Sequence, residues 1–333
     1  MKYSSIFSSA LALLALNSCS PHADVEEEQA DRTPLAVHFC LWQAEMAQTP
    51  ARAVSAPLPR NTTFRVYAHP AGTSSTGTPA GTSIYTVTDD AGNASGALSL
   101  NRGNYDFYFI SDNSTTTPPT ASSGTAVISN GYDFMYTLLK GVPVQPASAG
   151  EKTVNIPVTT PFTRLCSQVT MKVKPGPTQP VPIMDLHVNY IKLKNLSADR
   201  TYTLGGSTWN TSGNPSFTRE ITYNSSEFSR ADTDKGYQEP WISSPKVVLP
   251  IDASKDLEFE VGLKITYGTP GSPKEGNFVY TPSIRKALLS GMTYAFEFTL
   301  KFYGVLTPAD LTLAIREYNT VNINTDPVGG DEE

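Results

Sequence analysis

Apolar and polar residues alternate with a period of two along much of the chain. In DLEFEVGLKITYG, Leu257, Phe259, Val261, Leu263, Ile265 and Tyr267 stand on one side, with Glu258, Glu260, Gly262, Lys264 and Thr266 on the other. An extended segment with that pattern turns one face to a core and one to water. TYAFEFTLKFYG repeats the arrangement with Tyr294, Phe296, Phe298, Leu300 and Phe302. Shorter stretches follow it: PLAVHFCLW (Leu35, Val37, Phe39, Leu41), TFRVYAH (Phe64, Val66, Ala68), NYDFYFIS (Tyr105, Phe107, Phe109) and QVTMKVK (Val169, Met171, Val173). Separated by turns rich in Gly, Pro, Ser and Thr, such strands predict antiparallel sandwiches. The best helical candidate is one or two turns in SIRKALLSG, residues 283–291, ending at Gly291 as a C-cap glycine would.

The segment KPGPTQPVP, residues 174–182, has four prolines in nine residues and cannot continue either flanking strand. It is the expected boundary between an N-terminal β-sandwich domain, 33–175, and a C-terminal one, 183–333. The expected fold class is thus all-β: two tandem antiparallel β-sandwich domains of transthyretin-like or Greek-key type, with little helix. Long polar loops are expected at 71–83 and 111–125, the first carrying AGTS twice as low-complexity sequence rather than as a structural repeat.

The N-terminus breaks the pattern. Lys2 precedes an apolar run, Ile6 to Leu16, of about 11 residues, too short for the roughly 20 that span a bilayer, so residues 1–18 read as a signal peptide. Leu16, Asn17, Ser18 and Cys19 resemble the lipobox of bacterial lipoproteins, in which the new N-terminal cysteine is acylated, with palmitate among the expected chains. The alternative is a small-residue cleavage site with an incidental cysteine. Residues 19–32 then form an acidic, solvated tether, which is also similar to signals that route some Bacteroidales lipoproteins to the cell surface. Beyond residue 18 no apolar run approaches membrane-spanning length.

Composition narrows the function classes. Only 17% of residues are charged, against about 25% in ordinary soluble chains, as expected of an exported β protein. A net charge of −6 without Lys/Arg clusters gives no nucleic-acid footprint. His22, His38, His69 and His187 are scattered, with no HExxH or paired-Cys motif, and no metal or cofactor is expected. Asp232 and Asp234 in ADTDKGYQE suggest a calcium loop, but glycine falls at 236 and Ser243 at the twelfth position, so an acidic turn is the reading. GxSxG, Walker A and GxGxxG are missing, and the chain reads as a non-enzyme. Sequons at Asn61, Asn93, Asn113, Asn195, Asn210 and Asn224 reflect abundant Asn, Ser and Thr. Cys40 and Cys166 remain after Cys19 is assigned, and either a disulfide or two free thiols fits. Strand release, below, favours free thiols.

The order of these features resembles the fimbrillins that build the type V pili of Bacteroidales. Members have a lipobox, a short tether, a first strand and a loop cut by an Arg-specific protease, often before alanine. Here Cys19, the acidic tether, Pro34 to Trp42 and QTPARAVSAP supply those parts, with Arg52 followed by Ala53; Arg60 is a second candidate, and Arg32 lies too early to release a strand. SGMTYAFEFTLKF followed by LTLAIREYNTVNI is similar to the family's penultimate strand and C-terminal segment. The resemblance implies that removing the first strand opens a groove that a neighbour's C-terminal segment fills, here through Leu311, Leu313, Ile315, Val321 and Ile323. Glu317 interrupts that alternation and splits the donor into two short pieces. The implied protein is an adhesive fimbrial subunit, anchored in the outer membrane by lipid before processing and partnered by related subunits. The alternative is a surface lipoprotein that binds polysaccharide through exposed Trp209, Trp241 and Tyr237 without polymerising.

Overall fold

The computed structural model describes residues 33–44, 55–210, 217–252, 254–304 and 311–319. The signal segment, Cys19 and the tether lie outside the described residues, as do Arg52, Ala53, Val321 and Ile323. By its contacts Pro34–Glu333 forms one unit.

Strands are numbered in chain order. The first thirteen are β1 (Leu35–Cys40), β2 (Trp42–Ala44), β3 (Ser55–Pro57), β4 (Thr63–Pro70), β5 (Gly81–Val87), β6 (Asn93–Gly96), β7 (Ser99–Leu100), β8 (Gly103–Ser111), β9 (Ala121–Ser122), β10 (Thr125–Ser129), β11 (Met135–Val144), β12 (Thr153–Pro157) and β13 (Thr163–Arg164). They are followed by β14 (Ser167–Pro175), β15 (Ile183–Leu196), β16 (Asp199–Thr203), β17 (Thr208–Trp209), β18 (Arg219–Asn224), β19 (Phe228–Ser229), β20 (Trp241–Ser243), β21 (Lys246–Val248), β22 (Asp256–Thr269), β23 (Ser272–Tyr280), β24 (Ser283–Arg285), β25 (Met292–Leu300) and β26 (Leu311–Asn319). Among the described residues the helical elements are two short 3-10 turns, Ser225–Glu227 and Thr233–Gln238. The fold is all-β.

A large N-terminal sheet runs β12-β1-β6-β5-β4-β8-β11-β13, with β7 also paired to β1. Alternation decides its faces: Val37, Phe39, Phe64, Val66, Phe107 and Phe109 are buried together in one core. The intervening β8 residues Tyr108 and Ile110 enter a second cluster with Phe134, Tyr202 and Leu204, so this sheet is covered on both faces there. Two further sheets, β19-β20-β14-β25-β26 and β18-β15-β22-β23, enclose the third core, where Val173, Leu193, Phe259, Phe296 and Phe298 meet. A small sheet, β17-β16-β10-β9, joins the halves, with β10 and β16 antiparallel from Thr125↔Thr203 to Ser129↔Asp199. Buried Asn130 donates to Ser197 O at 2.8 Å beside that ladder.

Several details depart from the periodicity reading. Residues 283–291 form no helix: Ser283–Arg285 pairs with β22 through Leu257↔Ile284, continuing the edge that β23 leaves at Tyr280. Strand pairing of Ile284, partly covered, and the burial and pairing of Leu288 with Ile251 override a local helical preference. Gly291 does adopt a left-handed φ of 71°, but in the turn that enters β25. Two strand pairs are parallel, β1 with β12 and β14 with β25. The proline segment 174–182 carries the chain from β14 to β15, which lie in different sheets of the same core. Asn61, Asn113 and Asn195, three of the sequon residues, hold left-handed backbone at turns or an irregularity, a conformation Asn tolerates.

Candidate strand-exchange site

β1 is an interior strand. It pairs antiparallel with β7 and β6, through Leu35↔Leu100 and Phe39↔Ala94, and parallel with β12, through Val37↔Val154 and Phe39↔Ile156. Leu35, Val37, Phe39 and Leu41 are each at most 3% exposed. Phe39 is the centre of this set, with Tyr85, Phe107 and Phe109 arranged edge-on around it at 5.1, 5.5 and 5.0 Å between ring centroids. Such pairs add about 0.5–1.5 kcal/mol beyond their buried area.

The lining of the slot is built for close approach of backbone. The Tyr85 hydroxyl donates to Val37 O at 2.6 Å, and burial pushes its pKa up to about 12, so it remains a donor. A Cβ on Gly96 would lie 2.5 Å from the Tyr85 ring, and one on Gly92 2.3 Å from Leu41 O. Gly92 also has a φ of 85°, which disfavours any other residue. On the outer face of β1, His38 and Cys40 border a shallow cavity of about 350 Å³ with Asn93 and Asn155. Cys40 and Cys166 are both free thiols, and they belong to different surroundings: Cys166 is buried in the second cluster with its thiol on Tyr132 O. Burial pushes the Cys166 pKa up.

β1 is continued by β2, which pairs with β3 through Trp42↔Pro57 to Ala44↔Ser55. The residues between Ala44 and Ser55 contain Arg52 and Ala53, and the chain on either side of them is thereby held together in a hairpin. Arg60 is exposed in the turn before β4.

Towards the other end of the chain β26 pairs, among the described residues, only with β25, antiparallel from Met292↔Asn319 to Leu300↔Leu311, and forms a sheet edge. Leu311 is buried; Leu313 and Ile315 are partly buried against the third core. Thr312, Ala314 and Arg316 face water, Arg316 pairing with Glu297 at 3.2 Å. Glu317, on the side of Leu313 and Ile315, pairs with Lys286. Three of the five expected donor residues therefore share one face of this strand, and the other two lie outside the described residues.

The aromatic platform of the alternative reading is taken up by packing. Trp209 lies against Phe134 and Tyr202 and donates to Ser290 Oγ at 3.0 Å, while Trp241 donates to Leu186 O at 2.7 Å under Arg230 and beside His187. Tyr237 packs on the third core. Asp232 accepts from Asp234 N as the cap of a 3-10 turn. The periodicity reading missed the walls of the β1 slot. Their signal was present in Val154, Ile156 and Val158 of TVNIPV, a short alternation, and in Tyr85, Gly92 and Gly96, which only a known partner for β1 makes meaningful.

The profile of a family described as fimbrillin-like matches residues 51–315. No curated protein matches the sequence. Among solved structures, a candidate cell adhesion protein from Bacteroides ovatus superposes with a TM-score of 0.50 at 12% identity, covering 89% of this chain and 100% of that one. A candidate cell adhesion protein from Parabacteroides distasonis gives 0.50 at 8% identity, covering 87% and 98%. The fimbrial anchor protein Mfa2 from Porphyromonas gingivalis gives 0.40 at 13% identity, covering 85% and 97%. The two 0.50 matches show a shared fold. The family match spans most of the chain, and the chain belongs to the fimbrillin-like family.

Proposed function

We propose that this member of the fimbrillin-like family is a non-enzymatic structural subunit of a cell-surface fimbria that supports adhesion. It is exported as a lipoprotein acylated at Cys19, held at the outer membrane, cut between Arg52 and Ala53 by an Arg-specific protease, and polymerised by strand insertion. The observation that carries this reading is β1. It is an interior strand whose Leu35, Val37 and Phe39, followed by Leu41 just past its end, lie inside the core, and it is joined to the rest of its sheet through the connection that contains Arg52.

Cutting there converts β1 and β2 from part of the chain into a separable peptide. Its loss exposes sites for Leu35, Val37, Phe39 and Leu41, each worth roughly 1.5–3 kcal/mol of burial, and a ladder whose bonds contribute about 0.5–1.5 kcal/mol each. An unpaired edge beside an open core binds another strand. The C-terminal segment of a related subunit, apolar at Leu311, Leu313, Ile315, Val321 and Ile323 in this chain, has the required alternation.

Arg-specific proteolysis of the acylated precursor, followed by N-terminal sequencing and non-reducing electrophoresis, tests the reading. The expected result is one new N-terminus at Ala53 and a ladder of oligomers, both lost in Arg52→Ala. Fibres whose subunits still begin at Cys19 overturn it.

A further inference from the structure

Excising β1 does more than empty a slot, because of how β12 is held. Among the described residues β12 lies at the edge of its sheet and pairs with β1 alone, in parallel register from Ala36↔Thr153 to Cys40↔Pro157. The flanking bonds go to the same strands: Ala36 N–H donates to Lys152 O at 2.8 Å, Val158 N–H to Cys40 O at 3.1 Å and Phe162 N–H to Trp42 O at 2.7 Å. The segment is anchored at one end by Val144, buried at the end of β11, and at the other by Phe162, whose ring packs against Phe64 and Phe109. Thr137 Oγ1 donates to Thr160 O close to that second anchor. Between the anchors the chain is exposed from Ala147 to Thr153.

We propose that residues 145–161 form a hinged wall of the acceptor site, which loses its sheet partner when β1 departs and re-forms on an incoming strand from a second fimbrial subunit. This rests on the strand-release reading above. The occupant is defined by the two walls together. It is an extended chain, apolar at every second residue, that runs in the direction of β1: parallel to β12 and antiparallel to β6 and β7. A chain of the opposite direction would reverse the ladder type on both sides, antiparallel to β12 and parallel to β6 and β7. An open wall also lets the strand enter from the side instead of threading lengthwise between fixed neighbours. The cost of ordering β12 again falls due only when a strand arrives, so the wall is read out as protection gained on binding.

Native-state hydrogen exchange on the intact protein, titrated with low denaturant, tests the coupling directly. The amides of 36–40 and, within 153–158, the ladder amides of Val154, Ile156 and Val158 should open as one unit, separate from β4 and β8. Opening of 153–157 with β4 and β8 overturns the proposal, whether or not the chain is ever cut. The second arm places a site for a specific protease in the 45–54 connection and compares the cut chain before and after loss of the N-terminal fragment. The amides of Val154, Ile156 and Val158 should exchange about 100-fold faster once the fragment has gone, and a synthetic peptide of residues 33–44 should restore their protection. A fragment that never leaves counts against strand release, and the coupling result on the intact protein still decides the wall. A fragment that leaves while 153–157 stays protected overturns the wall and spares strand release.

Discussion

β1 and β26 are both apolar every second residue, yet the fold treats them in opposite ways. β1 is enclosed by β12 on one side and β6 and β7 on the other, with its alternate side chains wholly inside a core. Among the described residues β26 has one neighbouring strand, and its buried Leu311 is followed by the partly covered Leu313 and Ile315. The difference lies in position within the sheet rather than in the pattern itself. An interior strand can be released only after its covalent link is cut and most of its burial is lost, whereas an edge strand can peel away with the rest of its domain intact. Under the proposed strand insertion, β1 is the strand that proteolysis would free and β26, at a sheet edge, the one that would be donated.

The largest expected effect tests whether β1 must leave. Cys40 and Asn93 are register partners on adjacent antiparallel strands, where Cα atoms lie about 4.5–5.5 Å apart, within range of a disulfide. Asn93→Cys should bridge to Cys40 on oxidation, keep the cut fragment attached, and abolish polymer formation; reductant should restore it. Electrophoresis with and without reductant reads the outcome. Full assembly by the oxidised, cut protein would show that β1 stays in place in the fibre.

Next come paired truncations in the two strands. Phe39→Ala removes a ring contacted by three aromatics and should lower unfolding stability by about 3–5 kcal/mol. Leu313→Ala, at a partly covered edge position, should cost roughly 1 kcal/mol. Urea denaturation of both variants measures the gap. Equal losses would mean that β26 is held as firmly as β1, removing the basis for calling it ready to leave.

The sequence made these two strands readable to different depths. Alternation located β1, β22, β25 and the apolar face of β26, because side chains that fill a core leave a period-two record wherever one face is wet. Partners were another matter. The parallel match of β1 with β12 depends on contacts more than a hundred residues apart, and TVNIPV is too short to stand out. The helical reading of 283–291 failed for a related reason: Ser283–Arg285 is a strand because β22 has an open edge beside it, which local propensity cannot report. Trp209 and Trp241 looked available in sequence because nothing local covers them; Ser290, Leu186 and Arg230 come from elsewhere in the chain.

The smallest expected change in the monomer bears on what β26 would meet as a donated strand. Glu317 lies on the same side as Leu313 and Ile315, but at the sheet edge it is partly exposed and pairs with Lys286. A pair of that kind contributes about 0–1 kcal/mol, so Glu317→Leu should leave monomer stability within roughly 0.5 kcal/mol of the wild type. In a β1-like slot the same position is different. In the register that puts Leu311 where Leu35 now lies, residue 317 takes the place of Leu41, which is fully buried. An unpaired carboxylate there carries a desolvation penalty that leucine does not, so Glu317→Leu should slow dissociation of assembled subunits while hardly altering the monomer. Thermal unfolding of the monomer and detergent resistance of the polymer are the two measurements. A polymer weakened by Glu317→Leu would mean that the carboxylate finds a cation in the fibre, and that the inserted strand sits in another register.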